Sequence, residues 1–80
     1  MDILSYDFVM VGSDGCPFCR QAKEKLKKIR NNYRVKFYDS NKLSKKAEKQ
    51  LNDLTNGYPY IPIIFYRGKF IGGLSELMQL

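Results

Sequence analysis

Histidine and tryptophan are missing from this chain of 80 residues, and cysteine and proline are scarce, at two and three. Without histidine, Ser-His and Cys-His nucleophile pairs and histidine-containing zinc sites cannot be built from the chain alone. Two cysteines are too few for the disulfide frameworks by which small secreted domains offset a thin core, so a reducing compartment is expected. No apolar run approaches the roughly 20 residues of a membrane helix. Met1 to Val11 contains Asp2 and Asp7 but no basic stretch and no small-residue cleavage site, so it does not read as a signal peptide. The expectation is a soluble, cytoplasmic protein, a single domain over residues 1–80 with a small core.

What the chain has in excess is positive charge. Between Cys16 and Gln50 stand twelve Lys or Arg against Glu24, Asp39 and Glu48, which leaves that segment at +9. A nucleic-acid module is the non-enzyme alternative this charge allows. However, the lysines fall mostly on the polar faces of two amphipathic helices, the pattern of a solvated surface that attracts anionic substrates.

The apolar and β-branched residues of Ile3 to Val11 predict a first strand, with Phe8-Val9-Met10-Val11 its buried run. Gly12 to Gly15 break it. Phe18, Cys19, Ala22, Leu26 and Ile29 recur at helical spacing from Pro17 to about Arg30. Tyr33, Val35 and Phe37 then alternate with Arg34, Lys36 and Tyr38, a second strand. Ser44 is placed to cap a helix with an Ala47, Leu51, Leu54 stripe, closed by Gly57. Ile63 to Tyr66 is a third strand, joined by an Arg67-Gly68 turn to a fourth at Lys69 to Ile71. Ser75 is placed to cap a last helix, Glu76 to Leu80. The order β-α-β-α-β-β-α predicts an α/β fold: a mixed four-stranded sheet flanked by helices, parallel where helices intervene and antiparallel in the terminal hairpin.

Both cysteines lie in Gly15-Cys16-Pro17-Phe18-Cys19-Arg20, astride the first helix start. Free amides and the helix dipole favour negative charge there, and Pro17 fits the first helical position without losing a hydrogen bond. Cys16 is therefore expected to attack as the thiolate and Cys19, one turn on and deeper, to resolve. Arg20 and Lys23 are the nearby cations that would support it, and Asp14 is expected to point away. A structural disulfide would close too small a loop to stabilise much. Half of a zinc site lacks further ligands, and an iron–sulfur cluster shared across a dimer is the remaining alternative to a reactive dithiol.

These residues resemble those of a dithiol glutaredoxin along nearly the whole chain. Cys16-Pro17-Phe18-Cys19 is similar to the family's C-P-[YF]-C site, Tyr60-Ile61-Pro62 to its T-V-P segment, and Ile71-Gly72-Gly73-Leu74-Ser75-Glu76 to its I-G-G-x-[ST]-[DE] segment. The resemblance implies a thioredoxin-like fold, glutathione as reductant without a metal, and a monomer that reduces protein disulfides and glutathione mixed disulfides. Cys16 would accept the glutathionyl group and Cys19 would resolve it. Ile61, beside a cis Pro62, would pair its backbone with glutathione, next to Tyr60. Gly73, Leu74, Ser75 and Glu76 would receive the γ-glutamyl end. Each segment also has a plainer reading as an edge strand, a turn or a helix cap. Two positions depart from the pattern: Ser13 stands where many members have lysine, and Tyr60 where they have threonine. A redoxin reduced by thioredoxin reductase is the closer alternative.

Overall fold

The computed structural model describes all 80 residues. Strand β1, Phe8–Gly12, is buried along its whole length and lies inside a four-stranded sheet whose order is β2 (Val35–Asp39), β1, β3 (Ile63–Tyr66), β4 (Lys69–Gly72). It is shorter than the sequence suggests. The Asp2 carboxylate accepts the Leu4 and Ser5 N–H groups at 3.0 and 3.1 Å, so the chain bends before Phe8; Ile3 is buried in the core, and Met1 and Tyr6 pack against it partly buried.

Helix α1, Pro17–Ile29, follows with Cys16 as its N-cap, and buries Cys19, Ala22 and Leu26. Phe18 departs from the expected stripe: it is 60% exposed. Strand β2, Val35–Asp39, runs parallel to β1, Phe8 opposite Val35 and Gly12 opposite Asp39. A short 3-10 turn at Ser40–Lys42 leads to α2, Lys45–Thr55, where the Ser44 hydroxyl accepts the Ala47 N–H at 3.1 Å. The left-handed residues that end α2 are Asn56 and Gly57, so asparagine shares the role expected of glycine alone. Leu54 is exposed and Thr55 takes the buried place, donating to the Leu51 carbonyl at 2.8 Å.

The segment from Tyr58 to Pro62 brings the chain back to the end where β1 finishes. Strand β3, Ile63–Tyr66, therefore runs antiparallel to β1, Val11 opposite Ile63, where helix-separated strands are expected to be parallel. Arg67 and Gly68, both at positive φ, make the tight turn into β4, Lys69–Gly72. Helix α3 is only Leu74–Met78, and Ser75 lies inside it rather than capping it. The Glu76 carboxylate accepts the Gly73 N–H at 2.7 Å and closes the helix start from the other direction.

Alternation along the strands splits the core. Phe8, Met10 and Ile64 face α1 and α3 with Cys19, Ala22, Leu26 and Leu77, whereas Val9, Val11, Ile63 and Phe65 face α2. Each fully buried side chain of this kind stabilises the fold by about 1.5–3 kcal/mol. At one end of the sheet, the loop after β1 and the segment before β3 meet.

Candidate active site

The loop after β1 presents the two sulfurs in different states. Cys16 is half-buried, and its Sγ accepts the Cys19 N–H at 3.2 Å and lies 3.8 Å from the Ile61 carbonyl, to which the thiol donates. An N–H aimed at this sulfur steadies the charge it carries during exchange. Cys19 is buried against Gly12, where any Cβ would sit 2.8 Å from its sulfur, so only glycine leaves it room. Burial, and then the hydrogen bond with Cys16, push the Cys19 thiol up to about 11, which keeps it protonated at neutral pH. Both cysteines are free thiols. The pair combines a reachable sulfur with a buried, protonated one.

A groove of about 260 Å³ runs past Ile61, beside Cys16. Its walls bring together Phe18, Tyr60, Ile61, Pro62, Gly73, Leu74, Ser75 and Glu76, with a cis peptide between Ile61 and Pro62. Glu76 is the one charged residue in the lining. Tyr58 also lines the groove, and its hydroxyl lies over Gly73. Sequence reasoning missed it, although an extended segment puts residues two apart on one side and so pairs Tyr58 with Tyr60.

Arg20 and Lys23 are not in this groove. They line a hollow of about 270 Å³ between α1 and the end of β2, together with Ser13, Asp14, Asp39 and the inner cysteine, Cys19. The Lys23 ammonium sits 5.1 Å from the centre of the Phe37 ring. Neither cation lines the groove between Ile61 and Ser75. Asp14 lines the same hollow and forms no ion pair there.

A family model described as Glutaredoxin matches residues 8–71. The chain belongs to the glutaredoxin family. It is 35% identical over 81 residues to a "Probable glutaredoxin" of Acanthamoeba polyphaga mimivirus, covering 90% of this chain and 74% of that protein. It is 39% identical over 67 residues to Glutaredoxin-2 of Schizosaccharomyces pombe, covering 81% of this chain and 58% of that protein. The buckwheat glutaredoxin-glutathione complex shares the fold, with a TM-score of 0.74 at 23% identity over 95% of this chain and 68% of that one. The fold is thus the thioredoxin-like one, and this glutaredoxin is a thiol-disulfide oxidoreductase. Its two departures from the pattern fall on opposite sides of the dithiol: Ser13 lines the charged hollow and Tyr60 the groove.

Proposed function

We propose that this glutaredoxin is a glutathione-dependent enzyme that reduces protein disulfides and glutathione mixed disulfides, working as a monomer in the cytoplasm. The observation that carries the reading is the course of the groove, from the Ile61 carbonyl 3.8 Å from the Cys16 sulfur to Ser75 and Glu76. The cysteinyl part of glutathione would pair with the Ile61 backbone, placing its sulfur at Cys16. Its γ-glutamyl end would reach Gly73 to Glu76, where Glu76 accepts from the ammonium. One Glu76 oxygen already accepts the Gly73 N–H, and the other has no partner in the chain. The existence of a buckwheat relative in complex with glutathione also supports the reading.

Cys16 attacks the substrate sulfur and Cys19, one turn along α1, displaces the remaining thiol. The test is reduction of a small mixed disulfide with glutathione and glutathione reductase, run beside thioredoxin reductase. Turnover with glutathione is expected. Turnover with thioredoxin reductase alone would overturn glutathione dependence.

A further inference from the structure

The groove has a feature that the side chains of glutathione would leave uncovered. Its lips, Phe18 and Tyr60, are 60% and 67% exposed, an unusual state for two aromatic side chains flanking one site. Tyr60 is not loose. Its ring meets Tyr58 edge-on at 5.5 Å, Tyr58 meets Phe70 at 5.1 Å, and Phe70 meets the wholly buried Phe65 at 5.9 Å. A file of four rings thus runs from the core to the lip and holds Tyr60 in place before any ligand arrives. Pre-positioned aromatics of this kind are the usual anchors of protein recognition. Glutathione, made of glutamyl, cysteinyl and glycyl units, has no bulky apolar side chain to cover them.

We propose that Phe18 and Tyr60 make this enzyme selective for protein disulfides in which a bulky apolar residue adjoins the attacked cysteine, with Tyr60 the residue that sets the preference. The occupant is an extended segment of a disulfide-bonded protein, apolar on the groove side of its cysteine and acidic on the other. Charge argues for that polarity: the groove's one charge is the anion Glu76, whereas across the dithiol Arg20 and Lys23 balance Asp14 and Asp39 in the hollow and the surrounding segment, Cys16 to Gln50, carries +9. The proposal rests on the dithiol chemistry assigned above but not on glutathione as the reductant.

The reaction needs no other electron source in a single turnover. The Cys16 thiolate attacks one sulfur of the substrate disulfide, forming a mixed disulfide and releasing the first substrate thiolate. Cys19, once deprotonated, then attacks the Cys16 sulfur, releasing the second substrate thiolate and leaving a Cys16-Cys19 disulfide. The two protons of the enzyme dithiol end on the substrate thiols, so the enzyme is oxidised by two electrons and the substrate reduced by two.

The experiment mixes pre-reduced enzyme with two disulfide-bridged peptides that differ only in Phe or Ser beside the cysteine, both with Glu on its other side. The Phe peptide is expected to react about tenfold faster, the usual scale for one apolar group in a pocket. Tyr60→Thr should bring the ratio close to one, and Tyr60→Phe should keep it. A ratio near one in the parent enzyme, or a preference that survives Tyr60→Thr, would overturn the proposal. Failure to react with either peptide would overturn it together with the dithiol assignment. Failure of glutathione recycling alone would leave this single-turnover ratio standing and count only against glutathione as the reductant.

Discussion

On one side of the dithiol lies a groove of rings and backbone with Glu76 as its single charge. On the other lies a hollow walled by Asp14, Arg20, Lys23 and Asp39. Cys16 adjoins the first through the Ile61 carbonyl, and Cys19 opens on the second. In the mechanism proposed above, this difference gives the two sulfurs different work. The groove can hold a substrate by backbone pairing and apolar contact next to the sulfur that attacks. The hollow holds charges of both signs beside the sulfur whose thiol burial keeps protonated. Under that reading, recognition by shape and attraction by charge would lie one turn of α1 apart.

The largest effect should come from removing each sulfur in turn. Cys16→Ser is expected to lower turnover of every disulfide substrate by on the order of a thousandfold or more, since no other thiol adjoins the groove. Cys19→Ser should keep deglutathionylation, which glutathione itself completes, and lose protein-disulfide reduction. Steady-state rates on a glutathionylated peptide and on a protein disulfide check both. A Cys19→Ser enzyme dead on both substrates would contradict the division of labour.

Next in size is packing behind the inner sulfur. Gly12→Ala places a Cβ 2.8 Å from the Cys19 sulfur and 3.0 Å from Met10, whereas a Cβ at Gly15 meets nothing within 4 Å. Overpacking at Gly12 should cost about 1–3 kcal/mol in urea unfolding. Gly15→Ala should leave stability within about 1 kcal/mol of the parent. Equal effects at the two glycines would show that Cys19 is not wedged as described.

A third test uses the protonation of Cys19. Its thiol is raised from 9.0 to about 11 in the folded chain, so between those values the folded state holds a proton that the unfolded state has lost. That contribution is fully present below pH 9 and disappears as pH rises toward 11. The stability gap between the parent and Cys19→Ala should therefore shrink as pH rises from 7 to 10.5. Tyrosines and lysines titrate in both proteins and cancel in the gap. A gap that stays constant would mean the thiol is not held protonated by burial.

Local pattern made most of this architecture legible. The apolar run of β1, the stripe of α1 and the Arg67-Gly68 turn each answer to a period or a turn chemistry that neighbouring residues supply. The antiparallel entry of β3 was not legible, because it depends on where the Tyr58 to Pro62 segment returns the chain relative to β1, and no local period encodes that. Phe18 misled for a related reason. Its helical spacing matches the core stripe, yet it sits in the first turn, beyond the reach of the sheet, and turns to the groove. The dithiol could be placed from Cys16 and Cys19 alone, since helix capping is local. The partition of Arg20 and Lys23 away from Ile61 could not, since both sides of α1 adjoin the same sulfurs.

The smallest effect expected is on the charged side, and it tests whether the hollow acts on substrates at all. Arg20 is exposed and Lys23 half-buried, so their pull on an acidic segment is worth only the few tenths to about 1 kcal/mol of a surface pair. The double variant Arg20→Gln, Lys23→Gln should slow reduction of the Glu-bearing peptide by about two- to threefold at low salt. At 1 M salt the screening length falls to about 3 Å and the parent should lose the same advantage. The groove side predicts the opposite response: selectivity for Phe over Ser beside the cysteine should persist in high salt, because apolar contact is not screened. A variant slowed equally at every salt concentration would point to altered packing around Cys19, and the hollow would then be part of the resolving sulfur's support rather than a second recognition surface.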